Sequence, residues 1–529
     1  MQREQQLAVV EEADRRLAAY ADQVRAAHAN GTATLEDAEF ADLFATEAAT
    51  RADDCHWLLQ EQPEDWQWIF DCSVAWARAE MGARLVADLE ADGWMTPERY
   101  AGLDEEARSI LIHYAAPWPP LWLFRPAPGA LQRVINLFAG PGGWCEGIRA
   151  VLGVDLDMVG VDVSEDACAT ARAAGYRRIV ASVTDLEPEH PALRWVVGLI
   201  LSPPCQAFSP AGRRKGHEQA AIGLIRDVLL HVGAHAGFAM ILDPKDDSWH
   251  RVPRSDYTWE EVREPLAALK DDRAGLMAEV AIWPLAMLAA GGRIEWVAME
   301  QSSALPEEIE TALRDQFEQA DWRHVEFTTL EASQYGTATR RRRRFLMAVR
   351  AGSPIIPTTP AEPIPVTSYA AALDWPAGEE VNTRGERPID PATGRPKGGN
   401  CFSADKPGWC LTSKSRTWKR QSDGLRLNPS DAGRLVGFRA DYPWQGSRSS
   451  AIEQAADVVS PVISAIVIGR LLGRYWEQPV REHLHRLYGT PLPERQSSAP
   501  AALGDSAAAG PGWQAEIPAH QPNTLSRSA

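Results

Sequence analysis

One cysteine of the chain has the surroundings of a nucleophile. Cys205 lies in the loop SPPCQAFSP (202–210), directly after the apolar run VVGLIL (196–201). The two prolines before Cys205 stiffen the backbone and remove two hydrogen-bond donors. Three basic residues follow at 213–215, and positive charge near the Cys205 thiol is expected to lower its pKa. A lone cysteine is usually a small buried apolar residue, but this position and these neighbours favour a nucleophile.

An acid and two arginines are candidates to act beside this cysteine. Glu300 ends the predicted strand IEWVAME (294–300), and five arginines stand at 340–344. Because alternate side chains of a strand share a face, we expect Arg341 and Arg343 to point together toward the site.

A glycine-rich turn follows the first predicted strand, RVINLFAG (133–140), in the motif FAGPGG (138–143). Glycines let the backbone turn tightly and approach a ligand, but the motif fits neither the dinucleotide fingerprint nor the phosphate loop. Asp162 ends the second strand, where an acid can bind both ribose hydroxyls, and Asp185 after the third strand could meet an adenine amino group. These features suit an adenosyl ligand without a polyphosphate, and S-adenosylmethionine is the candidate for that ligand. Ordinary loop glycines and helix-capping acids are the alternative.

The elements that must position these residues alternate between strand and helix. Further strands are predicted at 158–163, 177–183 and 196–201, and helices around 144–151, 165–174, 218–232 and 274–290. Alternating units of this length predict an α/β fold with an open, mostly parallel sheet that helices cover on both faces. Ligands of such sheets bind beyond the carboxyl ends of the strands.

The charge of the chain is divided unevenly along its length. The whole chain has 72 acidic and 54 basic residues, a net charge of −18. Residues 1–130 contain 24 acids and 10 bases, whereas residues 331–480 contain 14 acids and 21 bases. The acidity of the chain therefore does not exclude a nucleic-acid partner, because positive charge is concentrated elsewhere.

The compartment follows from cysteine usage and from the apolar runs. Seven cysteines are present, an odd number without a Cys-x-x-Cys pair, which favours a reducing cytoplasm over disulfides or a metal site. The sequence contains no run of 18 apolar residues, so no membrane span is predicted. The acidic start does not resemble a secretory signal. We expect a cytoplasmic protein of bacterial or phage type, without membrane or metal.

Taken in order, these motifs resemble those of the DNA (cytosine-5) methyltransferases over about residues 133–475. The most specific element is the nucleophile loop PPCQAFS (203–209), and RLVGF (434–438), YPWQGS (442–447) and residues 454–461 are similar to the later motifs of that family. The resemblance implies a class I, Rossmann-like methyltransferase fold with a small target-recognition domain.

The resemblance also implies roles for individual residues. The catalytic residues would be Cys205, Glu300, Arg341 and Arg343. The residues that contact S-adenosyl-L-methionine would be Phe138, Gly140, Gly142, Gly143, Asp162, Asp185, Pro203 and Asp457. The residues that contact double-stranded DNA would be Gln206, Ser209, Arg213, Arg214, Lys215, Lys414, Arg416, Lys419 and Arg420.

The implied reaction explains these residue types. A thiolate that adds to C6 of cytosine makes C5 nucleophilic, while Glu300 holds or protonates N3 and the arginines bind the base carbonyl. The enamine then takes the methyl group from S-adenosylmethionine, and loss of the C5 proton with elimination of Cys205 completes the cycle. Because C6 is not accessible inside a duplex, the cytosine must be flipped out.

Several residues depart from the usual pattern of the family. Gln301-Ser302 replaces Asn-Val, Ala338-Thr339 replaces Pro-Gln, Ala456-Asp457 replaces Gly-Asn, and Asn136 replaces Asp. Methylation of RNA and a DNA-binding homologue with weakened catalysis therefore stay open as alternatives. A role in restriction-modification, a phage origin and a solitary function also stay open.

Five regions are predicted. Residues 1–130 form an acidic helical domain, a candidate for contact with a protein partner, and the proline-rich segment 117–129 is its linker. Residues 131–350 bind S-adenosylmethionine and carry catalysis, 351–430 recognise the target, 431–480 return to the catalytic domain, and 481–529 are a disordered tail. A monomer is expected.

Overall fold

A computed structural model describes residues 97–208, 218–243, 248–350, 356–383, 390–394 and 401–492, with short helical pieces within 22–30 and 82–87. Most of the predicted N-terminal helical domain, including its tryptophans Trp57, Trp66, Trp68 and Trp76, lies outside the described residues. Of the predicted disordered tail, 481–529, the part from 493 onward also lies outside them, and the prediction is wrong for its first residues because a helix continues to Tyr488.

The strands are β1 (Arg133–Leu137), β2 (Asp157–Asp162), β3 (Arg177–Val180), β4 (Val196–Leu201), β5 (Met240–Asp243), β6 (Ser248–Arg251), β7 (Trp296–Ser302), β8 (His324–Glu331), β9 (Thr339–Arg340), β10 (Arg342–Val349), β11 (Glu380–Asn382), β12 (Cys401–Ser403), β13 (Gly408–Trp409) and β14 (Lys419–Arg420).

The helices are α1 (Pro97–Gly102), α2 (Glu105–Ala115), α3 (Gly143–Glu146), α4 (Glu165–Ala173), α5 (Gln219–His235), α6 (Trp259–Arg263), α7 (Asp272–Gly275), α8 (Glu279–Ala289), α9 (Glu307–Gln319), α10 (Tyr369–Ala372), α11 (Pro429–Val436), α12 (Arg448–Asp457), α13 (Pro461–Leu471) and α14 (Glu477–Tyr488).

Seven strands form the central sheet in the order β3-β2-β1-β4-β7-β10-β8. The pairs β1–β2, β2–β3, β1–β4 and β4–β7 are parallel, whereas β10 runs antiparallel to both β7 and β8. The strand order reverses between β1 and β4, and ligands of open α/β sheets bind beyond the carboxyl ends at such a point. The predicted α/β fold with an open, mostly parallel sheet is confirmed.

The two faces of the sheet are covered by different helices because alternate side chains of a strand point in opposite directions. In β1, Ile135 and Leu137 pack into a core shared with α5, α8 and α9. Val134 instead joins a second core with α13 and α14. Both faces are therefore apolar, so the chemistry is confined to the edge where the strands end.

The sequence sets the helix ends through side-chain caps. Ser164 accepts a hydrogen bond from the Ala167 amide at the start of α4. Asn428 and Asp431 form a reciprocal capping box around Pro429, the first residue of α11. Each cap supplies a partner for backbone N–H groups that the helix leaves unpaired.

The first part of the proline-rich segment predicted as a linker, residues 118–124, packs into the core, whereas residues 127–130 are exposed. Trp118, Trp122 and Leu123 pack into the same core as the central sheet. The Arg133 guanidinium at the start of β1 donates to the carbonyl groups of Leu121, Trp122 and Phe124. The linker prediction is wrong here because tryptophan side chains bury too much apolar surface to remain in an exposed connection. Whether residues 1–130 form a domain stays a prediction.

A smaller sheet follows the central one. Strands β12, β11 and β14 pair antiparallel, and β13 pairs in parallel with β9 beside the arginine run. Trp418, which lies between the predicted DNA contacts Arg416 and Lys419, is buried in a third core with Leu427 and Leu435. Trp418 therefore stabilises this region from within.

Residues Arg448–Leu471, which cover α12 and α13, are long and apolar enough to cross a membrane, because an 18-residue window within them has a mean hydropathy of 1.6. Of that window, 89% is buried inside the protein. The apolar character of this stretch is therefore explained by its place in the core, where Val462 and Ile466 pack against the central sheet.

Candidate active site

The loop that carries Cys205 is fixed from both neighbouring strands. It leaves β4, and the Ser202 amide donates to the Leu137 carbonyl at the end of β1 (3.2 Å). The Trp144 indole donates to Ser202 Oγ (2.8 Å). Gln301, at the end of β7, donates from Nε2 to the Pro203 carbonyl (3.2 Å). Gln301, a departure from the family pattern, thus supports the backbone of the loop.

The half-buried Cys205 thiol has opposing charges around it. Burial raises its pKa above the usual value, and Glu300 and Asp457 act in the same direction. Arg343 and Arg341 lower the pKa, but the net result is a rise. Among the described groups, burial thus outweighs the two arginines. The predicted lowering of the Cys205 pKa by residues 213–215 stays a prediction, because those residues lie outside the described part of the chain.

Glu300 forms an ion pair with the arginines of the neighbouring strand. Because β10 is antiparallel to β7, Arg343 lies opposite Ser302, so the start of β10 meets the end of β7. Arg343 Nε lies 2.9 Å and Arg341 Nη2 3.8 Å from Glu300 Oε1. Only 4% of the Glu300 side chain is exposed. A carboxylate and two guanidinium groups are thus held together at one end of the cleft.

The three charged side chains line a small cleft, together with residues of β8, β10 and α13 and the turn before α13: Leu330, Ala332, Phe345, Val459, Ser460 and Ile463. Among the described residues, Arg341 Nε and Ser460 Oγ at this cleft have no hydrogen-bond partner. Glu300 Oε1 and Arg343 Nε face each other at 2.9 Å without the geometry of a hydrogen bond. Buried polar groups are normally paired, so this set is suited to a polar ligand.

The glycine-rich turn has one glycine that faces open space. Phe138 and Gly140 adopt positive φ angles of 56° and 52°, and the Gly140 amide donates to Asp162 Oδ2 (2.8 Å). A Cβ atom at Gly140 would meet no protein atom within 4 Å. The turn therefore presents bare backbone beside a strand-end carboxylate that can accept further hydrogen bonds.

The other two predicted glycines are needed for packing. Gly142 has a φ of +113°, and a Cβ there would lie 2.7 Å from the Tyr442 hydroxyl. A Cβ at Gly143 would lie 2.0 Å from the Val459 carbonyl oxygen. The segment after α11 therefore covers the turn from one side, and the Tyr442 hydroxyl donates to the Pro141 carbonyl (2.5 Å).

The remaining predicted site residues divide into three groups. Asp185 is exposed at the end of a short 3₁₀ helix after β3, and Lys414 and Arg416 are exposed in another, Ser413–Thr417. Arg420 pairs with Asp423, and its side chain holds the pKa of Asp423 at about 2, so its charge is already compensated. Ser209, Arg213, Arg214 and Lys215 lie outside the described residues.

The sequence reasoning missed two side chains of the cleft. Cys410 Sγ lies 3.8 Å from Arg341 Nη1 and contributes to the pKa of Arg343, which is raised although burial acts against it. Ser460 Oγ is buried beside Glu300. Neither residue has a local signal, because both come from distant segments that only the fold brings to the cleft.

The comparisons with known proteins point to one family. Residues 132–236 match the model of C-5 cytosine-specific DNA methylases. Similar solved structures include the Entamoeba histolytica methyltransferase EhMeth, with 12% identity, 65% of this chain and 98% of that chain covered, and a TM-score of 0.42. The prophage-encoded DNA modification methyltransferase of E. coli is 16% identical, with 65% and 99% covered and a TM-score of 0.39.

The S. pombe Dnmt2 methyltransferase is similar at 14% identity, with 65% and 99% of the two chains covered and a TM-score of 0.40. None of the curated proteins matches the sequence. The matched segment holds the glycine-rich turn, Asp162 and the Cys205 loop. Residues 132–236 thus carry the signature of the C-5 cytosine-specific DNA methylases, as the motifs of that segment predicted.

Proposed function

We propose that this protein transfers a methyl group from S-adenosylmethionine to C5 of cytosine in DNA, through a covalent adduct with Cys205. The observation that carries the proposal is the meeting of Cys205, Glu300, Arg341 and Arg343 at the carboxyl edge of the sheet. A nucleophile with an acid and two cations is suited to an addition that places negative charge on a ring.

Each side chain would have a separate part in the reaction. Cys205 forms a bond to C6 of the flipped cytosine, and the electron pair moves toward N3 and C5. Glu300 holds the N3 edge, and its ion pair with Arg343 fixes the carboxylate before the base arrives. Arg341 is anchored at the opposite wall, where it donates to the carbonyls of Ala456 and Asp457 (3.0 Å to the latter).

The residues at the glycine-rich turn fit an adenosyl cofactor. S-adenosylmethionine supplies an electrophilic methyl group when it is bound. Asp162 would accept hydrogen bonds from ribose hydroxyls, and the exposed Asp185 is available to an adenine amino group. The open face of Gly140 leaves room for the cofactor where a side chain would obstruct it.

Gly140→Ala should weaken S-adenosylmethionine binding by at least about tenfold, because the added methyl group enters the space left for the cofactor. The matched control is Gly153→Ala, since Gly153 also has a positive φ (+71°) and no protein atom near its absent Cβ. Isothermal titration calorimetry measures both affinities. Equal losses in the two variants would show that backbone strain, and not the cofactor, explains the effect.

A basic segment would meet DNA near the cleft. Lys414 and Arg416 lie on the 3₁₀ helix Ser413–Thr417, whose Arg416 carbonyl accepts hydrogen bonds from Arg448 at the start of α12. Helix α12 has ten residues, about 15 Å, and ends at Asp457 beside the Cys205 loop. That spacing suits phosphates on either side of a flipped nucleotide.

Methyl transfer to different nucleic acids separates the proposal from methylation of RNA. Purified protein is incubated with tritiated S-adenosylmethionine and either duplex DNA of mixed sequence or transfer RNA. Incorporation into DNA supports the proposal. Incorporation into RNA alone would overturn it in favour of an RNA methyltransferase, and DNA binding without incorporation into either would indicate a homologue without turnover.

A further inference from the structure

Asp457 lies between the two walls of the cleft. Its backbone carbonyl accepts a hydrogen bond from Arg341 Nη2 (3.0 Å), and its side chain accepts one from Gln206 Nε2 at Oδ2 (3.3 Å). Gln206 is the residue after Cys205. One residue at the end of α12 is thus tied both to the arginine wall and to the nucleophile loop.

The hydrogen bond fixes the orientation of the Gln206 amide. An ionised carboxylate only accepts hydrogen bonds, so the NH₂ group of Gln206 must point to Asp457 and Oε1 must point away. Gln206 Oε1 is buried and has no partner among the described residues. An asparagine at 457 would have an NH₂ group of its own and would permit the opposite orientation. The carboxylate therefore selects which Gln206 atom enters the cleft.

We propose that Asp457 is a positioning residue, which clamps the nucleophile loop to α12 and turns Gln206 Oε1 into the cleft as an acceptor for an N–H group of the nucleic acid. The use of that acceptor rests on the proposed function. The clamp itself is a property of the folded chain and can be tested without any transfer of methyl groups.

The charge of Asp457 has a consequence for Cys205. The charged groups that act on the thiol are Arg343, Glu300, Arg341 and Asp457, and Arg273 also lies within its electrostatic reach. Asp457 is exposed to water. Even so, desolvation by the surrounding protein raises the pKa of Asp457, although Arg341, Arg343 and the hydrogen bond from Gln206 act to lower that pKa. As pH rises and Asp457 ionises, its negative charge increasingly opposes the Cys205 thiolate.

Three variants test the clamp. Asp457→Asn removes the charge and keeps an oxygen for Gln206, Asp457→Ala removes both, and Glu453→Gln removes an exposed carboxylate one turn earlier on α12. The rate of iodoacetamide alkylation of Cys205 is followed against pH by peptide mass spectrometry. Both Asp457 variants should react severalfold faster than the wild type near neutral pH, with the profile moved to lower pH, and Glu453→Gln should not.

Steady-state kinetics with DNA then separate a positioning role of Asp457 from a general loss of structure. Asp457→Ala should raise the KM for DNA about fivefold, as expected for one lost hydrogen bond, and Asp457→Asn should fall between Asp457→Ala and the wild type, because its amide permits both orientations of Gln206. Thermal melting confirms that the variants fold. Unchanged alkylation in both Asp457 variants, or a KM in Asp457→Ala equal to that of Glu453→Gln, would overturn the proposal. Faster alkylation in a protein without any methyl transfer would keep the clamp and reject the proposed function.

Discussion

Cys205→Ala should reduce methyl transfer by more than about a thousandfold, because it removes the thiol that forms the bond to C6 and thereby activates C5. The Cys205 loop is held by Leu137, Trp144 and Gln301 through contacts that do not involve the thiol. The variant should therefore fold and keep its affinity for S-adenosylmethionine and DNA. The measurement is tritium incorporation into duplex DNA under single-turnover conditions.

The matched control for this prediction is Cys401→Ala, which removes an exposed cysteine of β12. That variant should transfer methyl groups at the wild-type rate. A mechanism-based inhibitor, DNA with 5-fluorocytosine, should trap wild type and Cys401→Ala covalently and leave Cys205→Ala free. Substantial transfer by Cys205→Ala would exclude Cys205 as the nucleophile.

Glu300→Gln should lower the rate of transfer by about 10²–10⁴-fold, the range for loss of a positioned acid or base. The variant also breaks the ion pair with Arg343, whose side chain is only 17% exposed, so some loss of stability should accompany it. Because Glu300 raises the pKa of Cys205, the thiol should at the same time become more reactive toward iodoacetamide near neutral pH.

Slower methyl transfer together with faster alkylation of Cys205 would distinguish a catalytic role of Glu300 from a structural one. The control is Glu310→Gln, which breaks the comparable ion pair of Arg344 with Glu310 (2.6 Å) outside the cleft. That variant should lose stability without a change in either rate. Equal effects of Glu300→Gln and Glu310→Gln on methyl transfer would contradict the role given to Glu300.

The sequence predicts the central sheet well because its signals are local. The runs 196–201 and 158–163 are apolar and are followed by glycine, proline or acidic residues, so β4 and β2 differ from the prediction by at most one residue at either end. The burial of Trp118 and Trp122 in the proline-rich segment 117–129 was not predicted, since prolines indicate a break in regular structure but not whether the tryptophans between them are buried.

The candidate site is predictable in part for the same reason. Cys205 and Glu300 each end a strand, so the sequence indicates that they meet at one edge. The pKa of Cys205 and the contacts of Cys410, Ser460 and Asp457 depend on segments far apart in the chain. Only the packing of α12, α13 and β13 against the sheet brings those groups to the cleft.

The most direct test of the account is bisulfite sequencing of genomic DNA after expression in a host without cytosine methylation. The account predicts methylated cytosines in a recurring sequence context with the wild-type chain, and none with Cys205→Ala. Unmethylated DNA in cells that contain soluble wild-type protein and S-adenosylmethionine would contradict it.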